Sequence, residues 1–219
     1  MSFFRPPFTE SALETSRVKL VLFTEVHFDQ FFEAKTKHPD LLQYFAIDLN
    51  RDAFKGLLAM GDKNPDDAAI LFAVLDKTKG DAFAGIIGLL HASTSNLSIE
   101  LGPVITFPEF QQTFVTSNAI GILLRYCLNL PKHGGLGFRR VQWTANQDNV
   151  ASIRTAEKMG LKLEGILRWN MVLAPTKQGA EVSGERGSGQ GRHTAMLATC
   201  WDDWENGGRE LVDTIVERT

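Results

Sequence analysis

The sequence predicts one α/β domain, an α+β mixed sheet in which an antiparallel meander joins a βαβ half, with helices on both faces. The chain has 219 residues, 43% of them hydrophobic, which is enough for one ordinary core. Three β-rich runs follow one another between residues 68 and 105, and strand and helix patterns alternate after them. Consecutive strands favour antiparallel pairing and alternating elements favour a parallel crossover, so we expect one sheet that combines both. We expect a single domain over 1–219, with its core at 17–205.

The first half of the chain predicts a strand, a helical region and the meander. Residues 18–23 (VKLVLF) are β-rich, and apolar residues recur at helical spacing over 25–45, which indicates one or two helices. The meander strands are expected at 68–76, 82–92 and 97–105. Gly85 and Gly88, inside the second of these strands, predict a bulge or a close backbone approach.

The second half predicts alternating helices and strands. A helix over 117–130 ends at Pro131, a strand covers 138–145, and another helix runs from an N-cap at Asn149 to Gly160. Strands at 163–173 and 193–201 form a hairpin around residues 174–192, whose Gly, Ser and charged residues predict a flexible loop. A final helix over 202–218 is weakened by Gly207 and Gly208.

Composition argues against several classes of partner. The net charge of -3 and the pI near 6.0 give no positive field for nucleic acid or an anionic membrane. No apolar run approaches the roughly 18 residues of a membrane span, and the first residues (MSFFRPPFTESALE) lack the apolar region of a signal peptide. We therefore expect a cytoplasmic protein, either a monomer or a homodimer.

Cysteines and histidines show no metal-ligand spacing. Cys127 and Cys200 each lie in an apolar-rich segment, and we expect two buried thiols. His91, His133 and His193 are scattered along the chain. We predict no metal.

The segment from Asn146 to Trp169 carries the most specific motif. Its residues fit the pattern N-x-x-S-x-x-x-x-x-x-x-x-G-[FL]-x-x-E-G-x-x-R, with Asn149, Ser152, Gly160, Leu161, Glu164, Gly165 and Arg168 in the named slots. The chain thereby resembles the GNAT superfamily of acyl-CoA-dependent N-acyltransferases, and within it the RimJ/RimL-like branch, over about Val18 to Trp204. The resemblance implies splayed central strands and transfer of an acetyl group from acetyl-CoA to a primary amine, on a small molecule or a protein N-terminus, by direct attack in a ternary complex.

The loop before the helix at 117 departs from the superfamily pattern for a pyrophosphate loop, [QR]-x-x-G-x-[GA]. Gln111 fits the first slot, but Phe114 stands in the glycine slot and Thr116 in the last. The loop is either a dead phosphate site or a variant lined by the hydroxyls of Thr113, Thr116 and Ser117. The branch contains members with a similar Q-x-T-x-x-T-[ST]-x-A pattern, which favours the variant. The residues that the resemblance then implies for CoA are Val104, Ile105 and Thr106 beside the pantetheine, Gln111, Gln112, Thr113, Phe114, Val115, Thr116 and Ser117 around the pyrophosphate, and Asn149 and Ser152.

The chemistry needs a proton acceptor, an oxyanion donor and an acid for the thiolate, because an alkylamine is protonated near neutral pH. Glu100, inside the strand LSIELGPVI, is our candidate base, with a raised pKa if it lines a pocket; the alternative is a solvated strand glutamate. A backbone N–H of Val104 or Ile105 is the candidate oxyanion donor. The resemblance offers Ser152 as the acid; the alternative is that Ser152 and Asn149 only cap their helix.

The acceptor is not readable from the sequence. The resemblance assigns specificity to residues 25–48 and 169–193, where Trp169 is either a packing residue or a border of the acceptor pocket. Arg154 or Lys158 is a candidate for the 3′-phosphate of CoA. The competing hypotheses are a catalytically silent CoA-binding module with the same fold and an interaction protein that recruits a partner through the 176–192 loop.

Overall fold

A computed structural model describes residues 13–59 and 69–218. The expectation about a signal peptide falls mainly on residues 1–12, which lie outside this range. The strands are β1 (Val18–Leu22), β2 (Ile70–Asp76), β3 (Ala82–Ser93), β4 (Ser98–Thr106), β5 (Arg140–Asn146), β6 (Lys162–Val172) and β7 (Gly191–Cys200). The helices are α1 (Phe28–Lys37), α2 (Arg51–Leu58), α3 (Phe114–Leu128), α4 (Val150–Lys158) and α5 (Arg209–Glu217).

The seven strands form one mixed sheet in the order β1-β2-β3-β4-β5-β7-β6. The first four strands are an antiparallel meander, β4 and β5 are parallel, and β5, β7 and β6 are again antiparallel. The pairing of β4 with β5 covers only Ser98–Glu100 against Arg140–Gln142, and the two strands diverge beyond it. The predicted mixed sheet with splayed central strands is confirmed, and the splay opens a wedge in the middle of the sheet.

Helices cover both faces of the sheet, as predicted. On β2, Phe72 and Val74 belong to the core cluster under α3, α4 and α5, whereas Leu71 and Ala73 belong to a second cluster under α1 and α2. This alternation is the two-residue period of a strand buried on both sides. The second cluster is rich in phenylalanine rings, which lie in edge-to-face and tilted contact: Phe23, Phe28, Phe31, Phe54 and Phe107.

Gly85 and Gly88 occupy the bulged region of the meander. A Cβ on Gly85, whose φ is 148°, would lie 2.0 Å from the carbonyl oxygen of Ile105, and one on Gly88 would lie 2.7 Å from that of Gly102. The register of β3 shifts against both neighbours in this region. The predicted bulge and close backbone approach are both present, because only a residue without a side chain fits there.

Three helix predictions are corrected by the structure. Helix α2 lies outside the predicted helical region, and its N-cap is Asn50, whose Oδ1 accepts the Ala53 N–H at 2.8 Å. Helix α3 begins three residues earlier than predicted, because the hydroxyl oxygen of Thr113 accepts the Val115 N–H. The final helix is interrupted over 204–208, with Gly207 at a φ of 104°, so that only α5 continues as a regular helix.

One burial prediction is also wrong, and one of the two interpretations of Trp169 is excluded. Cys127 is fully buried, as expected, but Cys200 is partly exposed because it ends the strand β7. Trp169 is 53% exposed, so it is not a core packing residue. It lies in a region where the register of β6 against β7 is irregular.

Candidate functional site

A cavity of about 740 Å³ opens at the wedge between β4 and β5. The end of β4 forms one wall, the loop before α3 and the start of α3 form the floor, and α4 forms the opposite wall. The segment 37–45, which starts at the last residue of α1, closes the far side. Since no β5 residue pairs with β4 beyond Glu100, the edge of β4 on the cavity side has no strand partner among the residues that the structure describes.

Most of the residues predicted to bind CoA line this cavity. They are Val104, Ile105, Thr106, Gln111, Gln112, Thr113, Thr116, Ser117, Asn149 and Ser152. The two exceptions are Phe114 and Val115. Val115 is buried in the core, and the Phe114 ring packs under the guanidinium of Arg17, with Cζ 4.4 Å from the ring centroid.

The start of α3 is held by hydroxyl groups in place of glycines. Thr113 Oγ1 accepts the Val115 N–H at 3.2 Å and donates to the Phe110 carbonyl at 2.6 Å. The hydroxyls of Thr106 and Thr116 lie 2.8 Å apart and connect β4 to the helix. The first N–H groups of a 15-residue helix have no partner inside that helix and carry the positive end of its dipole. This end of the cavity can therefore hold an anion such as a phosphate.

Ser152 has a tertiary hydrogen bond that the sequence did not reveal. The indole N–H of Trp143 donates to Ser152 Oγ at 3.0 Å, so the serine proton is available to a third group. Asn149 Oδ1 accepts the Ser152 N–H at 3.1 Å, so the capping role belongs to Asn149. Trp143 also lines the cavity.

Glu100 lies at the last pair of β4 with β5 and is only 7% exposed. Its neighbours Ile99 and Leu101 belong to the core under α3, so its side chain points to the opposite face of the sheet, and it is not among the residues that line the cavity. On that face it accepts hydrogen bonds from Thr144 Oγ1 at 2.6 Å, His91 Nδ1 at 3.0 Å and Gln142 Nε2 at 3.4 Å.

The expected raised pKa of Glu100 is wrong. Burial pushes this pKa upward, but the hydrogen bonds from His91, Thr144 and Gln142 stabilise the carboxylate more and hold the pKa below its usual value. Glu100 is therefore ionised at neutral pH. The residues that donate to it lie on β3 and β5. An alignment of the β3–β4 hairpin from the sequence pairs Leu90 with Glu100 and would have indicated that His91 lies next to Glu100.

The two segments assigned to specificity meet at one edge of the site. The Ala174 N–H donates to the Ala46 carbonyl at 2.8 Å, Thr176 Oγ1 donates to Asp48 at 2.8 Å, and Lys177 Nζ donates to the Leu42 carbonyl at 2.9 Å. The start of the predicted flexible loop is thus hydrogen-bonded to the segment that follows α1.

A second contact joins that segment to the loop before α3. The carboxylate of Glu109 accepts from Lys37 Nζ and lies 3.1 Å from His38 Nε2. The hydrogen bond from Lys37 is the main reason that the pKa of Glu109 falls to about 2. This contact links two walls of the cavity.

The remaining candidates differ in position. Lys158 lines the cavity and Arg154 does not. Trp169 is absent from the cavity wall. Its ring packs on Gly191, and its backbone N–H donates to His193 Nδ1 at 2.8 Å.

Within the described ranges, one group has metal-ligand types close together: Cys200, Asp202 and Asp203, with ligand atoms within 4.8 Å of one another. Asp203 in this group already accepts from Lys162 and from the Cys200 N–H.

No helix among residues 13–59 and 69–218 is long and apolar enough to cross a membrane.

Comparisons with known proteins point to one family. A family model described as an acetyltransferase (GNAT) domain matches residues 17–162. A GCN5-related N-acetyltransferase from Brucella melitensis is 24% identical, with a TM-score of 0.72, over 92% of this chain and 83% of that one. A search of curated proteins found no significant match.

Two further solved structures share the fold at lower identity. The spermidine N-acetyltransferase from Vibrio cholerae, in complex with CoA and spermine, is 15% identical over 88% of this chain and all of that one, with a TM-score of 0.64. RimL, a ribosomal L7/L12 alpha-N-protein acetyltransferase, is 17% identical over 85% of this chain and 91% of that one, with a TM-score of 0.66.

Proposed function

Because the chain belongs to the GNAT acetyltransferase domain family, we propose that it transfers an acetyl group from acetyl-CoA to a primary amine in a ternary complex. The observation that carries this proposal is the cavity itself. It runs from the N-terminus of α3 to the wedge between β4 and β5, and Ser152 lies in its wall. An anion site, an unpaired strand edge and a hydroxyl donor therefore lie along one channel.

CoA fits the polar groups along this cavity. The N-terminus of α3 and its threonines would hold the pyrophosphate, and Lys158 would pair with the 3′-phosphate. The free edge of β4 at 104–106 would hydrogen-bond the pantetheine amides as an added strand does. A backbone N–H of Val104 or Ile105 would then face the thioester oxygen. A loop lined by hydroxyl groups can bind the pyrophosphate because the N-terminus of α3 supplies the main hydrogen-bond donors. The missing glycines therefore do not argue for a catalytically silent protein.

The reaction requires one bond to form and one to break. The amine nitrogen attacks the thioester carbonyl carbon, the C–N bond forms, and the C–S bond then breaks. The acceptor loses one proton before attack and another as the amide forms, while the thiolate gains one. The products are the N-acetyl amide, CoA thiol and one proton released to solvent.

Glu100 and Ser152 would serve this proton balance at opposite ends of the wedge. The ionised Glu100 attracts the acceptor ammonium, and since its pKa is low, the proton passes on to solvent through water or the half-exposed His91. Ser152, whose oxygen already accepts from Trp143, donates its proton to the leaving thiolate and recovers one from solvent. Proton transfer by positioned groups of this kind typically contributes about 100-fold or more to the rate.

The first test measures free thiol released from acetyl-CoA with a panel of primary amines. We expect release with at least one amine and a higher melting temperature of the protein when CoA alone is added. No release with any amine, together with no thermal shift from CoA, would reject the proposal. Thermal stabilisation without release would support the silent CoA-binding alternative.

The second test separates the two proposed roles. Glu100→Gln and Ser152→Ala should each lower kcat by about 100-fold, with little change in CoA affinity. Either role is wrong if its variant keeps full turnover from about pH 6 to about pH 9.

For the phosphate loop, Thr113→Val or Thr116→Val should weaken CoA binding; unchanged affinity in both would leave these threonines as helix-capping residues only.

A further inference from the structure

Arg192, near the start of β7, has a guanidinium that forms no ion pair with any carboxylate of the described residues. Its Nε is buried and has no hydrogen-bond partner among the described residues. Within the described part of the chain, the side-chain hydrogen bond of its terminal nitrogens is from Nη1 to the sulfur of Met171 at 3.7 Å. By contrast, the partly buried Arg125 and Arg140 each pair with a carboxylate, Asp213 and Glu164 respectively.

Arg192 lies on the same face of the sheet as Glu100. Thr144 pairs with Met196 and Asn146 pairs with Thr194, and Arg192 follows this alternation two residues before Thr194. Thr144 is the residue that donates to Glu100. The register places Arg192 about 13 Å along the strand from the level of Thr144, a gap that a long arginine side chain partly spans.

Arg192 and Glu100 interact electrostatically without forming an ion pair. Burial lowers the pKa of Arg192, and the negative charge of Glu100 opposes that fall. No carboxylate of the described residues lies within 4.0 Å of the Arg192 guanidinium. A half-buried charge left without a partner is costly, and a planar guanidinium is the side chain best suited to a carboxylate.

We propose that the acceptor is an amine that also carries an anionic group, with its ammonium directed to Glu100 and its anion held by Arg192. This inference rests on the proposed acetyl transfer. A zwitterionic small molecule satisfies both opposite charges on this face at once. A polyamine of similar length would bring a second positive charge to Arg192, which costs binding free energy.

The test compares acceptors that differ only in their far end. Each ω-aminoalkanoate from 3-aminopropanoate to 6-aminohexanoate is assayed beside the alkylamine and the diamine of the same chain length. We expect kcat/KM to be highest for the acid, about 10-fold lower for the neutral amine and lowest for the diamine. Equal values for the acid and the neutral amine, or a preference for the diamine, would overturn the proposal even though thiol release continued.

Variants of Arg192 give the second arm of the test. Arg192→Gln should lower kcat/KM for the acid about 10-fold to 100-fold through its KM, and should leave the neutral amine and the KM of acetyl-CoA nearly unchanged. Arg192→Lys should recover part of the loss. Arg186→Gln, the same charge change on the exposed hairpin loop, should change nothing. An equal loss for all three kinds of acceptor would show a structural role and reject the assignment.

A binding measurement keeps the inference separate from the reaction. The CoA-loaded protein should be stabilised against heat by the acid more than by the neutral amine, and this difference should vanish in Arg192→Met, which keeps an apolar contact to Met171. Absence of that difference would reject the acidic acceptor. Failure of the proposed function would appear differently, as no thiol release from any amine and no stabilisation by CoA.

Discussion

Replacing Thr144 with valine should raise the pKa of Glu100 and destabilise the protein at neutral pH. Valine keeps the shape of threonine but removes the hydroxyl that donates to Glu100 Oε1 at 2.6 Å, the shortest of the three hydrogen bonds on this carboxylate. The bonds from His91 and Gln142 remain. The change therefore isolates one of the groups that hold the pKa of Glu100 below its usual value.

The magnitude follows from the hydrogen bond that is lost. A hydrogen bond to a charged group contributes about 1.5–3 kcal/mol, and since two other donors remain, we expect about 1.5 kcal/mol. At 1.36 kcal/mol per unit, this raises the pKa of Glu100 by about one unit. A depressed carboxyl pKa stabilises the folded state above the unfolded pKa, and this stabilisation is lost as the pH falls through the folded pKa. The difference between wild type and Thr144→Val should therefore be full above about pH 5 and shrink in more acidic solution.

Urea unfolding at a series of pH values measures this difference directly, and Thr144→Ser, which keeps the hydroxyl, is the matched control. An NMR titration of the Glu100 carboxyl carbon gives the pKa itself. Equal unfolding free energies for wild type and Thr144→Val at pH 7, or an unchanged titration of Glu100, would refute the reasoning. If Glu100 also acts in the reaction, the midpoint of the acidic limb of the kcat/KM profile should shift to higher pH by the same amount.

Three further changes test other parts of the molecule. Trp143→Phe removes the hydrogen bond to Ser152 and should lower kcat about 10-fold while CoA affinity, followed by calorimetry, stays the same; unchanged kcat would show that the bond does not orient Ser152. Gly85→Ala places a Cβ 2.0 Å from the Ile105 carbonyl oxygen in a left-handed conformation and should cost about 1–3 kcal/mol in urea unfolding, where a loss below about 0.5 kcal/mol would contradict the close approach. Glu109→Gln breaks an exposed ion pair between two cavity walls and should lower the free energy of unfolding by less than about 1 kcal/mol. It should nevertheless increase the dissociation rate of CoA in stopped-flow measurements. An unchanged dissociation rate would show that this contact does not restrain the cavity walls.

The order of elements and the motif at α4 could be predicted from the sequence because they depend on neighbours in the chain. The cap at Asn149, the positive φ of Gly160 and the bulge glycines of β3 are local requirements that particular residue types meet. Apolar periodicity located most strands for the same reason. The short helix α2 escaped because its eight residues are fewer than the roughly 11 over which a helical period can be read from a sequence.

The chemistry of the site was decided by contacts between residues far apart in the sequence. Glu100 has a low pKa because β3 and β5 bring His91 and Thr144 to it, and a local view of an apolar strand predicted the opposite shift. The hydroxyl of Ser152 is oriented by a tryptophan on β5, and Arg192 reaches the face of Glu100 only through the register of β7. The sequence by itself thus determined which elements and which motif this protein has. Because hydrogen bonds and charges act across strands, the sheet determined which polar groups meet and how they ionise.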